Sequence, residues 1–204
     1  MWRPSMRPVA CGPLAHRHVP MSENEAEVLI VDEIRRVVEA TDGPQISALV
    51  DAILQANRVF VCGAGRSGLI MKTFAMRLMH LGVSSHAVGE TITPAIEPGD
   101  LFICGSGSGQ TRTTLATVEA ARTRGARTAA ITAHATSPIA QSSDLVLHIR
   151  SPITTPGLEP PSRQPPGSLF EQCLLVHCEG MVMRLMQRLG TTEEEMRARH
   201  TKLE

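Results

Sequence analysis

Hydroxyl side chains alternate with glycine in the segment CGSGSGQT, which covers residues 104–111. Glycine at this density weakens a helix or a strand, so we predict a loop here. Its backbone N–H groups and the hydroxyls of Ser106, Ser108 and Thr111 suit an anion with several acceptor oxygens, such as phosphate. A helix beginning near Thr111 would add the attraction of its positive end. A merely flexible turn would explain the glycines but not the three hydroxyls, so we interpret the segment as a phosphate-binding loop.

A second glycine cluster, GAGRSG at residues 63–68, follows an apolar run and opens a helical pattern. It matches the G-x-G-x-x-G pattern of dinucleotide-binding proteins, so NAD is the obvious alternative ligand. Such a site places an acidic residue at the end of the second strand, about 20 residues further on. Here that strand reads SSHAV, and the nearest acid, Glu90, follows Gly89 in a turn. The serine-rich loop also has no role in a dinucleotide site, so we predict neither NAD nor another cofactor.

Glu171 is the third candidate, in the sequence PPGSLFEQ at the start of a long apolar helical pattern. A carboxylate in such surroundings can serve as a general base. However, Ser168 and Glu171 have the spacing of a capping box, in which the carboxylate only closes the start of the helix. From the residues alone, this structural role is favoured.

Five short apolar runs are the elements that must position these residues: RVFVC, SSHAV, DLFIC, RTAAIT and DLVLHI. Helical patterns fill two of the gaps between them, and these patterns end at Gly82 and Gly125. Strands buried on both faces and separated by helices predict an α/β fold, a three-layer αβα sandwich around a parallel sheet. If the strand order is the flavodoxin-like 2-1-3-4-5, the first and third strands are neighbours at the switch point of the sheet. The two glycine loops then line one crevice.

Further helical patterns flank the predicted sheet. Ser22 and Glu25 have capping-box spacing before the first helix, Pro44 can begin a second, and Thr192 with Glu195 announces the last. A proline-rich loop precedes the long helix that carries Glu171. We therefore expect one domain over residues 21–204, preceded by a disordered extension over residues 1–20.

Composition excludes several classes of partner. Among 204 residues, 20 basic side chains balance 20 acidic ones, and aromatic residues make up 2%, so nucleic acid is not an expected partner. No apolar run has the roughly 18 residues of a membrane span. The eight histidines lack metal-site spacing, so no metal is predicted. The cysteines contain no C-x-x-C pair and are expected to be reduced, structural thiols of a cytoplasmic protein. They are Cys11, Cys62, Cys104, Cys173 and Cys178.

Five segments together resemble the sugar isomerase (SIS) family and, within it, the 6-phospho-3-hexuloisomerases. They are VFVCGAGRSGLIMKTFAMRLMHLG, VGETITP, SGSGQT, SRQPPGSLFEQ and RARHTKLE, in this order. The resemblance implies a five-stranded parallel sheet, a metal-independent homotetramer and the reversible conversion of 3-hexulose 6-phosphate to fructose 6-phosphate. It also implies a pathway partner, the hexulose-phosphate synthase that joins formaldehyde to ribulose 5-phosphate.

The resemblance also implies roles for individual residues. Glu171 becomes the catalytic base, which reverses the preference for a capping role. His200 becomes a proton relay between the substrate oxygens, in its own subunit or in a neighbour. Arg66 and Glu90 are expected at the same crevice, Arg66 as a partner of the phosphate or the enediolate, with a structural role in holding the loops as the alternative for both. The implied phosphate contacts are Ser67, Ser106, Gly107, Ser108, Gly109, Gln110 and Thr111. Many members have Glu at the position of Gln110, a change that backbone contacts would survive.

Two other functions stay open at this point. One is a non-catalytic SIS module that senses a sugar phosphate. The other is a different sugar-phosphate isomerase, such as the arabinose 5-phosphate type. A sensor would bind the sugar phosphate without converting it, whereas either isomerase would convert it to product.

Overall fold

The structure is a computed structural model that describes residues 23–151 and 162–202. Within these residues the chain forms five strands: β1 Val59–Gly63, β2 Ser85–Ala87, β3 Leu101–Gly105, β4 Arg127–Thr132 and β5 Leu145–His148. It also forms seven helices: α1 Glu25–Glu39, α2 Gly43–Gln55, α3 Gly65–His80, α4 Arg112–Thr123, α5 Pro138–Gln141, α6 Ser168–Leu189 and α7 Glu193–Ala198.

The strands pair in parallel in the order β2-β1-β3-β4-β5, which confirms the predicted fold class. Successive strand residues point to opposite faces, and each face packs against helices. Val61 and Ile103 belong to a core shared with α1, α2, α3 and α6. Phe60 and Phe102 belong to a second core, shared with α4 and α5. The sheet is therefore buried on both sides, as its nearly continuous apolar strands predict.

Predicted helix ends are mostly confirmed. Gly82 and Gly125 follow the ends of α3 and α4 with φ of 87° and 81°, a backbone conformation that favours glycine. The capping box of Thr192 and Glu195 is present at α7. The start of α1 differs from the prediction, because its N-cap residue is Asn24. Ser22, the predicted cap, lies outside the described residues, as does the extension predicted for residues 1–20.

A buried carboxylate on α1 holds the segment that leads into α6. Glu33 is only 2% exposed. One of its oxygens accepts a hydrogen bond from the Arg163 N–H at 3.0 Å, and the other accepts from Ser162 Oγ at 2.7 Å and Gln164 Nε2 at 2.9 Å. Burial alone would raise the pKa of Glu33, but these donors and Arg36 outweigh it and lower that pKa. Residues 162–164 are thus tied to α1 immediately before α6 begins.

No helix among the described residues combines the length and apolar character needed to cross a bilayer. The same residues contain no group of three or more metal-ligating side chains. The four cysteines that the structure describes are free thiols. Burial raises the pKa of Cys173 to about 12 and also raises that of Cys62, so neither is disposed to form a thiolate. Cys11 lies outside the described residues.

Candidate active site

The two glycine loops leave the sheet side by side. In the β1–β3 pairing, Gly63 lies opposite Gly105, so the loops begin at the same edge of adjacent strands. Backbone atoms approach closely at this point. A Cβ atom added to Gly68 would lie 2.5 Å from the carbonyl oxygen of Gly63, and one added to Gly63 would lie 3.1 Å from that of Gly105. Only glycine allows this packing, which confirms that the loops meet at the switch point of the sheet.

Internal hydrogen bonds fix the shape of the serine-rich loop. The Gly109 N–H donates to Ser106 Oγ at 3.2 Å, and this hydroxyl lies 3.3 Å from Thr111 Oγ1. The Gln110 N–H donates to Ser108 Oγ at 3.3 Å. The loop is also tied to its surroundings, because the carbonyl of Gly107 accepts from the Ala133 N–H at 3.2 Å. The hydroxyls and amides are therefore ordered before any ligand arrives.

Two helix N-termini point toward these loops. The N-cap residue of α3 is Ala64 and that of α4 is Thr111, and neither makes a side-chain hydrogen bond to its helix. The first N–H groups of both helices therefore keep their partial positive charge. Ser67 lies in the first turn of α3 and is 8% exposed. This arrangement has the features of an anion-binding site.

Glu171 lies in the first turn of α6, where its side chain is 17% exposed. Its Oε2 atom is 2.8 Å from Nε of Arg66 on α3. The N-cap residue of α6 is Gly167, with φ of 86° and no side-chain hydrogen bond. Ser168 is thus the first helical residue rather than the cap. The capping-box interpretation is wrong, because the cap position is one residue earlier and the carboxylate contacts Arg66 instead.

A cavity of about 270 Å³ opens beside this ion pair, between α3 and α6. Its walls are mainly apolar, with the carboxylate and the guanidinium as charged groups. The Oε1 atom of Gln172 is buried and has no hydrogen-bond partner among the described residues, so it is an acceptor without a donor. The lining residues are Arg66, Leu69, Ile70, Glu171, Gln172 and Leu175. The cavity combines a base, a cation and an unpaired acceptor.

A larger cavity, of about 310 Å³, lies on the other face of the sheet, between α4 and the chain segment before β3. Phe60 and Phe102 form part of its apolar wall. It contains neither the glycine loops nor Glu171. Glu90 forms an ion pair with Lys72 on α3.

His200 lies at the opposite end of the chain's own α3. Its ring stacks on that of His80, with 4.1 Å between the centroids. Because a helix rises 1.5 Å per residue, His80 is about 21 Å along α3 from Arg66. Within one chain, His200 therefore does not reach Glu171. The structure brings the loops, Arg66 and Glu171 to one edge of the sheet and leaves His200 at the other.

Three residues of this architecture are absent from the sequence-based prediction. Glu33 carries a signal in the sequence, because it precedes the buried Val37 by four residues and so shares its helical face. Gln172 and His80 carry no such signal. Their importance follows from an unpaired acceptor and a ring contact, which depend on tertiary structure.

The fold and the site define an open parallel α/β protein with a switch-point crevice formed by two glycine-rich loops, beside which a carboxylate is paired with an arginine. The chain belongs to the SIS domain family, whose model matches residues 52–164.

Named relatives extend the match over most of the chain. It is 43% identical to the 3-hexulose-6-phosphate isomerase of Mycobacterium gastri over 176 residues, which are 86% of this chain and 88% of that protein. It is 38% identical to the 3-hexulose-6-phosphate isomerase of Bacillus subtilis over 185 residues, or 90% of this chain and 100% of that protein.

A solved structure agrees with these relatives. The crystal structure of a Methanococcus jannaschii protein, from which a 3-hexulose-6-phosphate isomerase function was inferred, superposes with a TM-score of 0.77 at 31% sequence identity. The match covers 88% of this chain and 99% of that one. Sequence and fold therefore point to the same group of enzymes.

Proposed function

We propose that this protein catalyses the reversible isomerisation of D-arabino-hex-3-ulose 6-phosphate to D-fructose 6-phosphate. The observation that carries the proposal is the carboxylate of Glu171, held 2.8 Å from Arg66 beside two loops suited to a phosphate group. Relatives named for this reaction, at 38% and 43% identity, support the choice of substrate.

Glu171 is the catalytic base in this proposal. Its carboxylate takes the proton from C2, beside the C3 ketone, and an enediolate forms across C2 and C3. The same carboxylate then returns the proton to C3, while the hydroxyl proton of O2 is exchanged for one on O3. The carbonyl moves from C3 to C2 without gain or loss of atoms. A positioned base of this kind contributes about 10²–10⁴-fold to the rate.

Arg66 stabilises the charge of the intermediate. Its guanidinium already contacts Glu171, so a substrate in the cavity would place its reacting oxygens next to the same cation. A preformed cation at developing negative charge lowers the barrier, because it needs no reorganisation during the reaction. The unpaired Oε1 of Gln172 is available to a hydroxyl of the substrate chain.

The phosphate group occupies the crevice between the glycine loops. The N–H groups of α3 and α4 and the neighbouring hydroxyls surround it, and the site needs no metal or cofactor. The proposed contacts are Ser67, Ser106, Gly107, Ser108, Gly109, Gln110 and Thr111. Gln110 contributes through its backbone N–H, which exchanges its 3.3 Å hydrogen bond to Ser108 Oγ for one to the phosphate, so a Glu at this position in other members does not conflict with the proposal.

A second copy of the chain completes the site. His200 is too far from Glu171 in its own chain, so we propose that it exchanges the oxygen-bound proton in the site of a neighbouring subunit. Apolar side chains exposed on α1, α3 and α6 favour such an assembly, which we propose to be a homotetramer. They are Val28, Val31, Leu69, Met76, Met79, Leu175, Val176, Met183 and Leu189.

The reaction is proposed to follow a hexulose-phosphate synthase in the ribulose monophosphate pathway of formaldehyde fixation, in the cytoplasm. Residues 21–204 are proposed to act as one SIS domain.

A coupled assay tests the proposed function. Ribulose 5-phosphate, formaldehyde and a hexulose-phosphate synthase are supplied, and fructose 6-phosphate is measured with and without this protein. We expect product only when it is present. Glu171→Gln should bind substrate but lose at least about 10²-fold in kcat, because the amide cannot accept the proton.

Two results would contradict the proposal. One is ligand-induced thermal stabilisation without any product, which indicates a sensor. The other is a near-normal rate in Glu171→Gln, which removes the assigned base. Glu119→Gln, which changes an exposed carboxylate on α4, is the control and should retain the wild-type rate.

A further inference from the structure

His80 and His200 form a stacked pair of imidazole rings. The centroids are 4.1 Å apart and the planes are inclined by 25°. His80 is the last residue of α3 and is 2% exposed, whereas His200 is exposed. One ring is therefore fixed in the protein interior and the other lies on it at the surface.

The chain around His200 is fastened to the same end of α3. Nη1 of Arg199 donates to the carbonyl oxygen of His80 at 3.0 Å. The guanidinium also lies across Gly82, where an added Cβ would be 3.3 Å from Nη2 of Arg199. The capping box of Thr192 and Glu195 fixes the start of α7. These contacts set the position of the backbone, and the His80 ring sets the plane of the His200 side chain.

The surroundings of His80 disfavour the charged form of its ring. Burial lowers its pKa, and the charges of His200 and Arg77 lower it further. Its Nδ1 atom is buried without a hydrogen-bond partner among the described residues, so protonation there would bury an N–H group with no acceptor. A neutral ring can support a neighbouring imidazole in either protonation state, whereas a second cation would repel it.

The other charged groups around the pair are largely balanced. Arg77 of α3 forms an ion pair with Glu179 of α6 at 3.4 Å. Glu193 and Arg197 of α7 pair with each other, also at 3.4 Å. A small cavity of about 170 Å³ lies beside the pair. It is lined by His80, His200, Met196, Arg77, Glu193 and Arg197. Arg199, which is bound to the carbonyl of His80, adds a further positive charge close by.

We propose that His80 is a positioning residue for the isomerisation: its ring holds the imidazole of His200 in the orientation in which it enters the site of a neighbouring subunit. There the imidazole takes the proton from O2 and delivers one to O3, so that no proton is gained or lost overall. This inference rests on the proposed function. Because His80 touches His200 and not the substrate, it acts on the rate of the proton exchange rather than on substrate binding.

Two substitutions of His80 test whether a flat aromatic ring is needed at this position or only a side chain of similar size. His80→Phe keeps an aromatic plane against His200, while His80→Leu fills similar space without one. We expect His80→Phe to retain most of the wild-type kcat. His80→Leu should lower kcat by about 10- to 100-fold, the effect of displacing a catalytic group by about 1 Å, with KM little changed. The readout is the coupled assay, with thermal unfolding measured on each variant.

His86→Leu is the matched control. His86 also makes a ring contact, with Phe60 at 5.2 Å, but it lies on β2 away from His200. Its loss should leave kcat unchanged. A folded His80→Leu protein with wild-type kcat, or with a change in KM alone, would overturn the proposal.

Side-chain NMR provides a second measurement that does not depend on the leucine variant. The His200 ring should give a single ordered set of signals in the wild type and in His80→Phe. Averaged signals from a freely rotating His200 ring in the wild type would contradict the inference. If the wild type itself produces no fructose 6-phosphate, the proposed function fails, and the inference fails with it. A wild type that is active while His80→Leu is equally active refutes the inference alone.

Discussion

The ion pair of Arg66 and Glu171 matters more for orientation than for stability. The Arg66 side chain is 63% exposed, and pairs that reach solvent in this way contribute about 0–1 kcal/mol to the free energy of unfolding. The same contact points Oε2 of Glu171 toward the cavity between α3 and α6. A side chain that adds little to folding can thus set the direction of the proposed base.

Glu33 is the residue where stability and pH are coupled. Its folded-state pKa is lowered below the ordinary value of 4.5, because the hydrogen bonds from residues 162–164 outweigh the effect of burial. A lowered folded-state pKa means that the stabilisation is complete above the unfolded-state pKa. It is lost as the pH falls through the lower, folded-state value.

We therefore predict a pH-dependent effect of Glu33→Gln. Near neutral pH the variant should be less stable by about 1–3 kcal/mol. The amide has an NH2 group where the carboxylate has its second oxygen, and this group would face hydrogen-bond donors instead of accepting from them. The difference from the wild type should begin to shrink as the pH falls below about 4.5, because the unfolded wild-type chain then binds a proton at Glu33, and it should vanish below the lower, folded-state pKa. Thermal unfolding between pH 3 and pH 7 measures it. Glu39→Gln, an exposed carboxylate on the same helix, is the control, and a difference that is constant with pH would contradict the assignment.

At the level of single residues, the sequence predicts which side chains are candidates but not which role each has. Glu171 has capping-box spacing with Ser168, so spacing alone favours a structural role. Only the position of Gly167 as the cap, and the contact with Arg66, separate the two roles. Helix boundaries can shift by one residue without any change in the apolar pattern, which explains why this distinction needs coordinates.

Among the elements, β1 and β3 with their following loops are constrained by close backbone contacts. The turn from β1 into α3 can close only because Gly63 and Gly68 have no side chains. The contact involves backbone atoms on both sides, so it cannot be relieved by rotation of a side chain. The start of α3, and with it Ser67 and Arg66, is placed by this contact.

Gly68→Ala is predicted to damage both stability and substrate binding. The new methyl group would lie 2.5 Å from the Gly63 carbonyl oxygen, and overpacking of this kind costs about 1–3 kcal/mol. Displacement of α3 should also raise KM, because the first turn of the helix faces the proposed phosphate. Thermal unfolding and steady-state kinetics measure the two effects.

Gly43→Ala is the matched control, because a Cβ there meets no atom within 4 Å. Its stability and KM should remain close to those of the wild type. If Gly68→Ala behaved like Gly43→Ala, the proposed role of the loop contact would be wrong.

Most of the elements follow from local sequence. The five apolar runs predict the strands, Gly82 and Gly125 predict two helix ends, and the separation of the runs by helices predicts a parallel sheet. The two shorter gaps are less clearly helical in the sequence: the one between β2 and β3 forms no helix in the structure, whereas the one between β4 and β5 forms α5. What local sequence does not reveal is how α1 holds residues 162–164 through Glu33, or where the segment after α7 lies. These contacts join residues more than 100 positions apart, and no periodic pattern encodes them.

For the whole molecule, the separation of His200 from Glu171 predicts a site shared between subunits. If the two residues act in one site but come from different chains, Glu171→Gln and His200→Ala should each be inactive alone. Co-expressed as differently tagged chains in equal amounts, they should recover about one quarter of the wild-type activity, since about one quarter of the sites receive both intact residues. Activity of the purified mixed assembly measures this recovery.

Co-expression of Glu171→Gln with Glu171→Ala is the control and should recover nothing, because no site then contains an intact base. An inactive mixture of Glu171→Gln with His200→Ala would contradict a site shared between subunits. A fully active His200→Ala protein would remove His200 from the mechanism and leave the role of Glu171 untouched.

Helix α3 is uninterrupted from Gly65 to His80, with Arg66 near its first residue and the histidine pair at its last. In the proposed assembly these two ends belong to different reaction centres. A cell that makes intact and doubly damaged chains in equal amounts would keep about one quarter of its centres complete, rather than the half expected for independent subunits. A defective allele of such a gene would therefore act with partial dominance, because the fraction of activity lost would be larger than the fraction of chains that are defective.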